Sequence, residues 1–263
     1  MKKEKYLKLN EHIIRDKIVL DLACHEGEST SIIQKLGSKY IYGVDARREL
    51  IDVAKRNLKK NVEFFTGDIQ DENLITPLIE KSNTVVVLGV LYHLYNHFGF
   101  FSSILKPNIE HVIIETIAGP DTLNPEMFWG FESVNNNLNG WHDSATIIPN
   151  GSPNLSWILQ SAKIFDFECD WVCHYGYLRP KRKNNVTIAE YMSIKDETWP
   201  DYEEFISSNT LPEHILNDIY SMLDDRDDND SGENKRVLLR LYNKKLINSA
   251  PINLKDCYSW DPK

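Results

Sequence analysis

Two acidic residues and one short loop carry most of the chemistry legible in this chain. Asp21-Leu22-Ala23-Cys24-His25-Glu26-Gly27 follows the apolar run Ile18-Val19-Leu20, which reads as a strand entering a tight turn that opens a helix. The backbone N–H groups of such a turn, with the positive end of the helix behind it, suit an anionic or carboxylate-bearing ligand. Eighteen residues beyond Gly27, Asp45 closes the next strand-like run, Tyr40-Ile41-Tyr42-Gly43-Val44. A carboxylate at that spacing reaches ribose hydroxyls across one β-α-β unit. A dinucleotide fingerprint would place three glycines in the loop, where this chain has Ala23, His25 and Gly27. Pyrophosphate needs the close approach that glycine permits, so a nicotinamide oxidoreductase falls behind.

The elements that must position these residues alternate through the first half of the chain. Strand candidates lie at 17–22, 40–45, 61–65, 84–90 and 111–116, with helix candidates near 28–36, 47–58, 71–80 and 97–105. That alternation is the signature of an α/β doubly wound parallel sheet. Gly37 is placed to end the first of these helices as a left-handed cap, and Asn61 begins the return to a strand. The stretch 119–152 shows little period of either kind and holds Phe128, Trp129, Phe131, Trp141 and His142, so it is expected to be a substrate-covering loop. Ser152-Pro153 reads as a helix start, followed by a strand candidate at 167–175 and a last strand at 236–242. Between those two strands, 177–230 reads as a helical insertion that ends in the acidic run 224–230, which fits a solvated loop better than a calcium loop.

With 263 residues, 41% hydrophobic and 26% charged, the chain has the composition of one elaborated globular domain, taken here as residues 1–263. No run approaches the roughly 20 apolar residues of a membrane span, and the Met-Lys-Lys-Glu-Lys start has no apolar stretch behind it. The expectation is a soluble, cytoplasmic protein without a membrane partner. Cys24, Cys169, Cys173 and Cys257 lack zinc-like spacing and read as free thiols, Cys169 and Cys173 sharing a strand face. A net charge of −9 disfavours a nucleic-acid partner unless basic residues cluster. Two clusters exist: Lys55, Arg56, Lys59 and Lys60, spaced as a solvated helix face, and Arg179, Lys181, Arg182 and Lys183.

Taken in order, the motifs resemble those of class I S-adenosylmethionine-dependent methyltransferases. Val19 through Gly27 is similar to that family's first motif, Gly43-Val44-Asp45-Ala46-Arg47 to its second, and Phe64-Phe65-Thr66-Gly67-Asp68-Ile69 to its third-strand motif. Gly89-Val90-Leu91-Tyr92-His93-Leu94, after the fourth strand candidate, resembles a subgroup that includes the tRNA wobble-uridine carboxymethyltransferases. The resemblance covers residues 15–176 and the last strand; it departs from the commonest first motif at Ala23 and His25. It implies a seven-stranded, mostly parallel sheet with an antiparallel last strand, and S-adenosylmethionine as cofactor. It further implies that Asp45 and Ala46 meet the ribose, that Asp68 and Ile69 address the adenine, and that Asp21 with Ala23, Cys24, His25 and Gly27 holds the methionine end. Gly89 and Tyr92 complete that cofactor-binding set, and Tyr92 and His93 line the mouth beside the methyl group.

Methyl transfer asks an enzyme for alignment, desolvation and, for a protonated nucleophile, a base. His93, His97 and His142 are the candidates; Asp143 can orient a neighbouring imidazole, His93 and His142 are the preferred catalytic pair, and His97 suits packing. His93 and His97 are four apart, but no metal is expected, since His93 falls at a strand-to-loop transition. No Asn/Asp-Pro-Pro-aromatic sequence follows the fourth strand candidate and no Pro-Cys pair occurs, which argues against amino-directed DNA and cysteine-nucleophile cytosine methylation. The expected acceptor is an oxygen or nitrogen of a small molecule. The alternatives are tRNA modification and a non-catalytic cofactor-binding interaction protein.

Overall fold

A computed structural model describes residues 3–119, 124–133, 147–175 and 236–248. Seven strands form one sheet: β1 (Ile18–Leu22), β2 (Tyr40–Asp45), β3 (Val62–Thr66), β4 (Thr84–Leu88), β5 (His111–Ile117), β8 (Phe167–Tyr175) and β9 (Arg236–Asn243). Their order is β3-β2-β1-β4-β5-β9-β8. The first five run parallel, and β9 is antiparallel to both β5 and β8. Strand order reverses between β1 and β4, and ligands of open α/β sheets bind at the carboxyl ends of strands beside such a switch point.

Alternation along the central strands divides the core into two faces. Val19, Val86, Ile113 and Leu238 pack with Tyr6, Leu7, Ile14 and Ile33 from α1 (Lys3–Leu9), α2 (Glu11–Ile14) and α3 (Glu28–Lys35). Leu20, Val85, Val87, Val112, Ile114 and Leu239 face α5 (Glu72–Ile79), α6 (His97–Ile104) and α7 (Leu155–Ile164). Strands covered on both sides must be apolar throughout, which is why β4, Thr84-Val85-Val86-Val87-Leu88, is buried at every position. Side chains cap the helices of that second face: Asp71 accepts from Asn73 N–H, Asn96 from Gly99 N–H and Asn154 from Trp157 N–H.

Several boundaries differ from the sequence reading. Asn61 has φ 55°, so it is a left-handed turn residue and β3 starts at Val62. Gly89, at φ 71°, turns the chain out of the sheet one residue after β4. The stretch read as an irregular cover contains an antiparallel pair, β6 (Met127–Ser133) and β7 (Ile147–Pro153), in register from Met127↔Pro153 to Ser133↔Ile147. Ser152 and Pro153 therefore end a strand, and the helix starts after Asn154, whose side chain makes the cap. A bulge at Asp170 shifts the backbone register by one residue, so that Cys169 pairs with Leu241 and Cys173 with Leu238; the side chain of Cys173, and with it the expected shared face, lies outside what the structure describes. The insertion 177–230 lies outside the described residues, although its flanks meet: Tyr175 pairs with Arg236.

Candidate functional site

The site is built from the ends of β1, β2, β3 and β4. Asp21, 1% exposed, accepts hydrogen bonds at Oδ2 from Ser29 Oγ (2.8 Å) and Thr30 Oγ1 (2.6 Å), which fastens the first turn of α3 to β1. Burial lifts its pKa to about 6, against the two hydroxyl donors that favour the ionised form. Its direct contacts thus shape the loop that follows.

In that loop Ala23 (φ 59°), His25 (φ 57°) and Gly27 (φ 89°) are all left-handed. A side chain makes that region cost about 1–2 kcal/mol per residue, yet alanine and histidine adopt it. Three hydrogen bonds hold the path: Cys24 N–H to Val44 O (3.0 Å), Gly27 N–H to Cys24 O (3.0 Å) and His25 N–H to Asp45 Oδ2 (2.9 Å). The departure from glycine therefore leaves the backbone course of a glycine-type loop intact. Cys24 turns its thiol inward against Ile51, Ala54 and Phe64, and burial raises its pKa, so it contributes backbone and packing rather than a nucleophile.

Asp45 ends β2 with 3% of its surface exposed. Besides His25 N–H, its carboxylate accepts from Arg47 N–H (3.0 Å), Arg47 Nε (3.0 Å) and Arg47 Nη2 (3.3 Å). Ala46, half-buried, lies between the two charged residues, and Arg47 is the N-cap of α4 (Arg48–Asn57). The turn after β3 is tied to the same strand end, since Gly67 N–H donates to Asp45 O (3.1 Å). There Asp68, 8% exposed, receives Gln70 N–H at 2.9 Å, and Ile69 is buried beside it. Ribose-type and adenine-type candidates are thereby brought to neighbouring strand ends.

After Gly89 the chain forms a single 3-10 turn, Leu91–His93, in place of the strand-to-loop transition expected at His93. The half-buried rings of Tyr92 and His93 lie with centroids 4.1 Å apart. His97 belongs to a separate element, α6, and is 2% exposed. Its Nε2 donates to Leu91 O (2.9 Å), its ring meets Trp129 at 6.0 Å and Trp157 at 5.8 Å, and burial lowers its pKa. His97 thus joins the turn after β4 to the β6–β7 pair and α7. His142, with Trp141 and Asp143, lies outside the described residues.

Two residues with no role in the sequence reading belong to this region. Glu115, on β5 and 3% exposed, accepts Gly89 N–H at its carbonyl (2.9 Å), and its Oε2 lies 3.5 Å from where a Cβ on Gly89 would sit. An acid inside the apolar run His111-Val112-Ile113-Ile114-Glu115 was the available signal. Arg47 stands two positions after Asp45, close enough in sequence for the pairing to be suspected.

This strand order, the antiparallel β9 and the loop–acid pair at the switch point define the class I methyltransferase fold. Residues 19–107 match the methyltransferase domain family. A ribosomal protein L11 methyltransferase of Caldanaerobacter subterraneus subsp. tengcongensis is 29% identical over 106 residues, 36% of this chain and 34% of that protein. The chain spans about a third or less, 34% and 27%, of the curated relatives it matches. An S-adenosylmethionine-dependent methyltransferase of Mesorhizobium loti superimposes with a TM-score of 0.55, 10% identity and coverage of 91% of this chain and 97% of its own. A candidate S-adenosylmethionine-dependent methyltransferase of Listeria monocytogenes gives 0.53, 13%, 91% and 98% respectively. At these identities the structural likeness is one of fold. Among the described residues no helix is long and apolar enough to cross a membrane.

Proposed function

We propose that the protein transfers a methyl group from S-adenosylmethionine to an oxygen or nitrogen of a small-molecule acceptor. The observation that carries this reading is Asp45: a buried carboxylate at the end of β2 that also holds the 23–27 loop through His25 N–H. One group thereby couples a ribose-type acceptor of hydrogen bonds to a loop whose N–H groups suit a carboxylate. The residues present fit the cofactor: Asp45 and Ala46 for the ribose, Asp68 and Ile69 for the adenine, and Asp21 with the loop Ala23, Cys24, His25 and Gly27 for the methionine end. Gly89 and Tyr92 complete the set at the end of β4.

When bound, S-adenosylmethionine supplies a sulfonium-activated methyl carbon. Tyr92 and His93, in the 3-10 turn that follows β4 and Gly89, form the wall facing the acceptor, and an imidazole nitrogen of His93 takes the proton that the nucleophile releases. His142 is a second candidate for that proton. The β6–β7 pair forms the acceptor cover, supported by its exposed Phe128 and Trp129, which suit an organic small molecule.

Calorimetric titration with S-adenosylmethionine and S-adenosylhomocysteine tests the reading. Micromolar binding by wild type that is lost in Asp45→Ala is expected, and no binding by folded wild type would sink it.

The Gly89–Leu94 resemblance favours a second reading, modification of tRNA by a methyl or carboxymethyl donor. Lys55, Arg56, Lys59 and Lys60 are exposed, but they lie at the last turn of α4 and beyond, roughly 15 Å along the helix from Asp45. That placement sets the cluster apart from the Asp45 strand end, and the second cluster, Arg179, Lys181, Arg182 and Lys183, lies outside the described residues. Retention of tRNA that disappears with added salt would favour the tRNA reading.

A further inference from the structure

Building on the reading of Asp45 as the ribose-binding group, we propose that the Arg47 guanidinium is an internal competitor for that carboxylate, and that donor binding must displace it. The argument is one of hydrogen-bond capacity. A carboxylate offers about four lone-pair sites. Asp45 accepts from four donors: His25 N–H, Arg47 N–H, Arg47 Nε and Arg47 Nη2, at 2.9, 3.0, 3.0 and 3.3 Å. A ribose diol brings two more.

The four existing donors differ in their freedom to leave. His25 N–H is fixed by the left-handed loop, which two further backbone hydrogen bonds hold in place. Arg47 N–H is fixed by the turn into α4, where Asp45 Oδ1 accepts it two residues on. Only Nε and Nη2, at the end of a flexible side chain, can yield two sites together. They are also the pair whose withdrawal frees one position on each oxygen, Oδ1 and Oδ2, as a vicinal diol requires.

The pair is not a solvent-screened surface contact, since the Arg47 side chain is 13% exposed and that of Asp45 4%. Exchanging a guanidinium for two uncharged hydroxyl donors keeps the carboxylate hydrogen-bonded but gives up the ion pair, and that loss opposes binding. Arg47 sets the donor affinity by holding it below what the bare carboxylate would give.

The test is calorimetric titration of S-adenosylhomocysteine into wild type, Arg47→Gln, Arg47→Ala and Asp45→Ala, with circular dichroism confirming the fold of each. Arg47→Gln keeps the backbone donor and a polar side chain, so it controls for loss of the turn. Nitrogen-15 spectra of the arginine Nε–H groups are recorded alongside, with the Arg47 signal assigned by its loss in Arg47→Gln. Both Arg47 variants should bind at least about 10-fold tighter than wild type, and the wild-type Arg47 Nε–H resonance should move on saturation. Equal or weaker binding by both variants, with Asp45→Ala inactive in binding and the Nε–H signal unmoved, would overturn it and leave the ribose reading standing. If none of the folded proteins binds, the competitor and the ribose reading both fail.

Discussion

Gly43→Ala is expected to destabilise the protein by about 1–3 kcal/mol, the usual cost of forcing an extra methyl into a packed core. Gly43 lies in the middle of β2, flanked by Asp21 on β1 and Phe64 on β3. A Cβ there would sit 2.5 and 2.6 Å from two carbons of the Phe64 ring and 3.2 Å from Cys24 Sγ. Carbon atoms prefer separations of about 3.5–4.0 Å, so the ring would have to retreat by roughly 1 Å. It has little room, because Phe64 is 5% exposed and packed with Cys24, Ile51 and Ala54. The strand cannot yield either, being hydrogen-bonded on both sides. Urea denaturation of wild type, Gly43→Ala, Phe64→Ala and the double variant measures the effect and its origin. Phe64→Ala alone should cost about 3–5 kcal/mol, and in that background the added methyl should cost close to nothing. Because Gly43 touches Cys24 and precedes Asp45 by two residues, affinity for S-adenosylhomocysteine should fall with stability. A Gly43→Ala protein within about 0.5 kcal/mol of wild type, or one whose cost is the same with and without the Phe64 ring, would refute the steric argument.

Acid stability should respond to two buried groups in opposite senses. Burial, reinforced by Arg240 against Asp170 and Glu110, lowers the pKa of His111 to about 4. Between about pH 6.5 and 4 the unfolded chain binds a proton there that the folded one refuses, so this contribution is complete above the unfolded value and lost as pH falls. Asp21, raised to about 6, holds its proton in the folded state from there down to the unfolded value near 3.8, and so gains stability as pH falls through that window. Melting curves should show a shallower acid decline in His111→Gln and a steeper one in Asp21→Asn; the reverse order would contradict the assignment. Asn154→Ala should cost about 2–4 kcal/mol, a lost cap plus stranded buried groups. Asn154 is fully buried, accepts from Trp157 N–H (2.8 Å) and Glu126 N–H (3.1 Å), and donates to Asn124 O (2.9 Å). A loss well under 1 kcal/mol in urea denaturation would show that the 124–126 stretch is not held this way.

The centre of the parallel half was legible because β1 and β4 are covered on both faces and must therefore be written as apolar runs, unlike the edge strand β3 with its exposed Glu63 and Thr66. Ile18–Leu22 and Thr84–Leu88 are such runs, and both strands were found within a residue or two. The β6–β7 pair was not legible: Gly130, Pro149, Asn150 and Gly151 interrupt any alternation, and the pairing rests on contacts with His97 and α7 that no local pattern encodes. Asp21, Asp45 and Asp68 were found by position at strand ends, yet their partners were not. The hydroxyls of Ser29 and Thr30 and the guanidinium of Arg47 occupy these acids through geometry that spacing alone does not fix. The bulge at Asp170 is a further case, since a single extra residue shifts the register of β8 against β9 and leaves no mark on composition.

The pairing of Tyr175 with Arg236 makes the β8–β9 connection a module whose length the sheet does not read. Residues 175 and 236 are held side by side by the antiparallel β8–β9 ladder, and β9 is anchored on its other side by β5. Closing a longer connection costs only about 0.6 kcal/mol per doubling of its length. Sequence can therefore be gained, lost or exchanged between those two residues over evolutionary time without renegotiating the register of β9 against β5. The register of the sheet and the length of the connection between those two residues can thus vary independently.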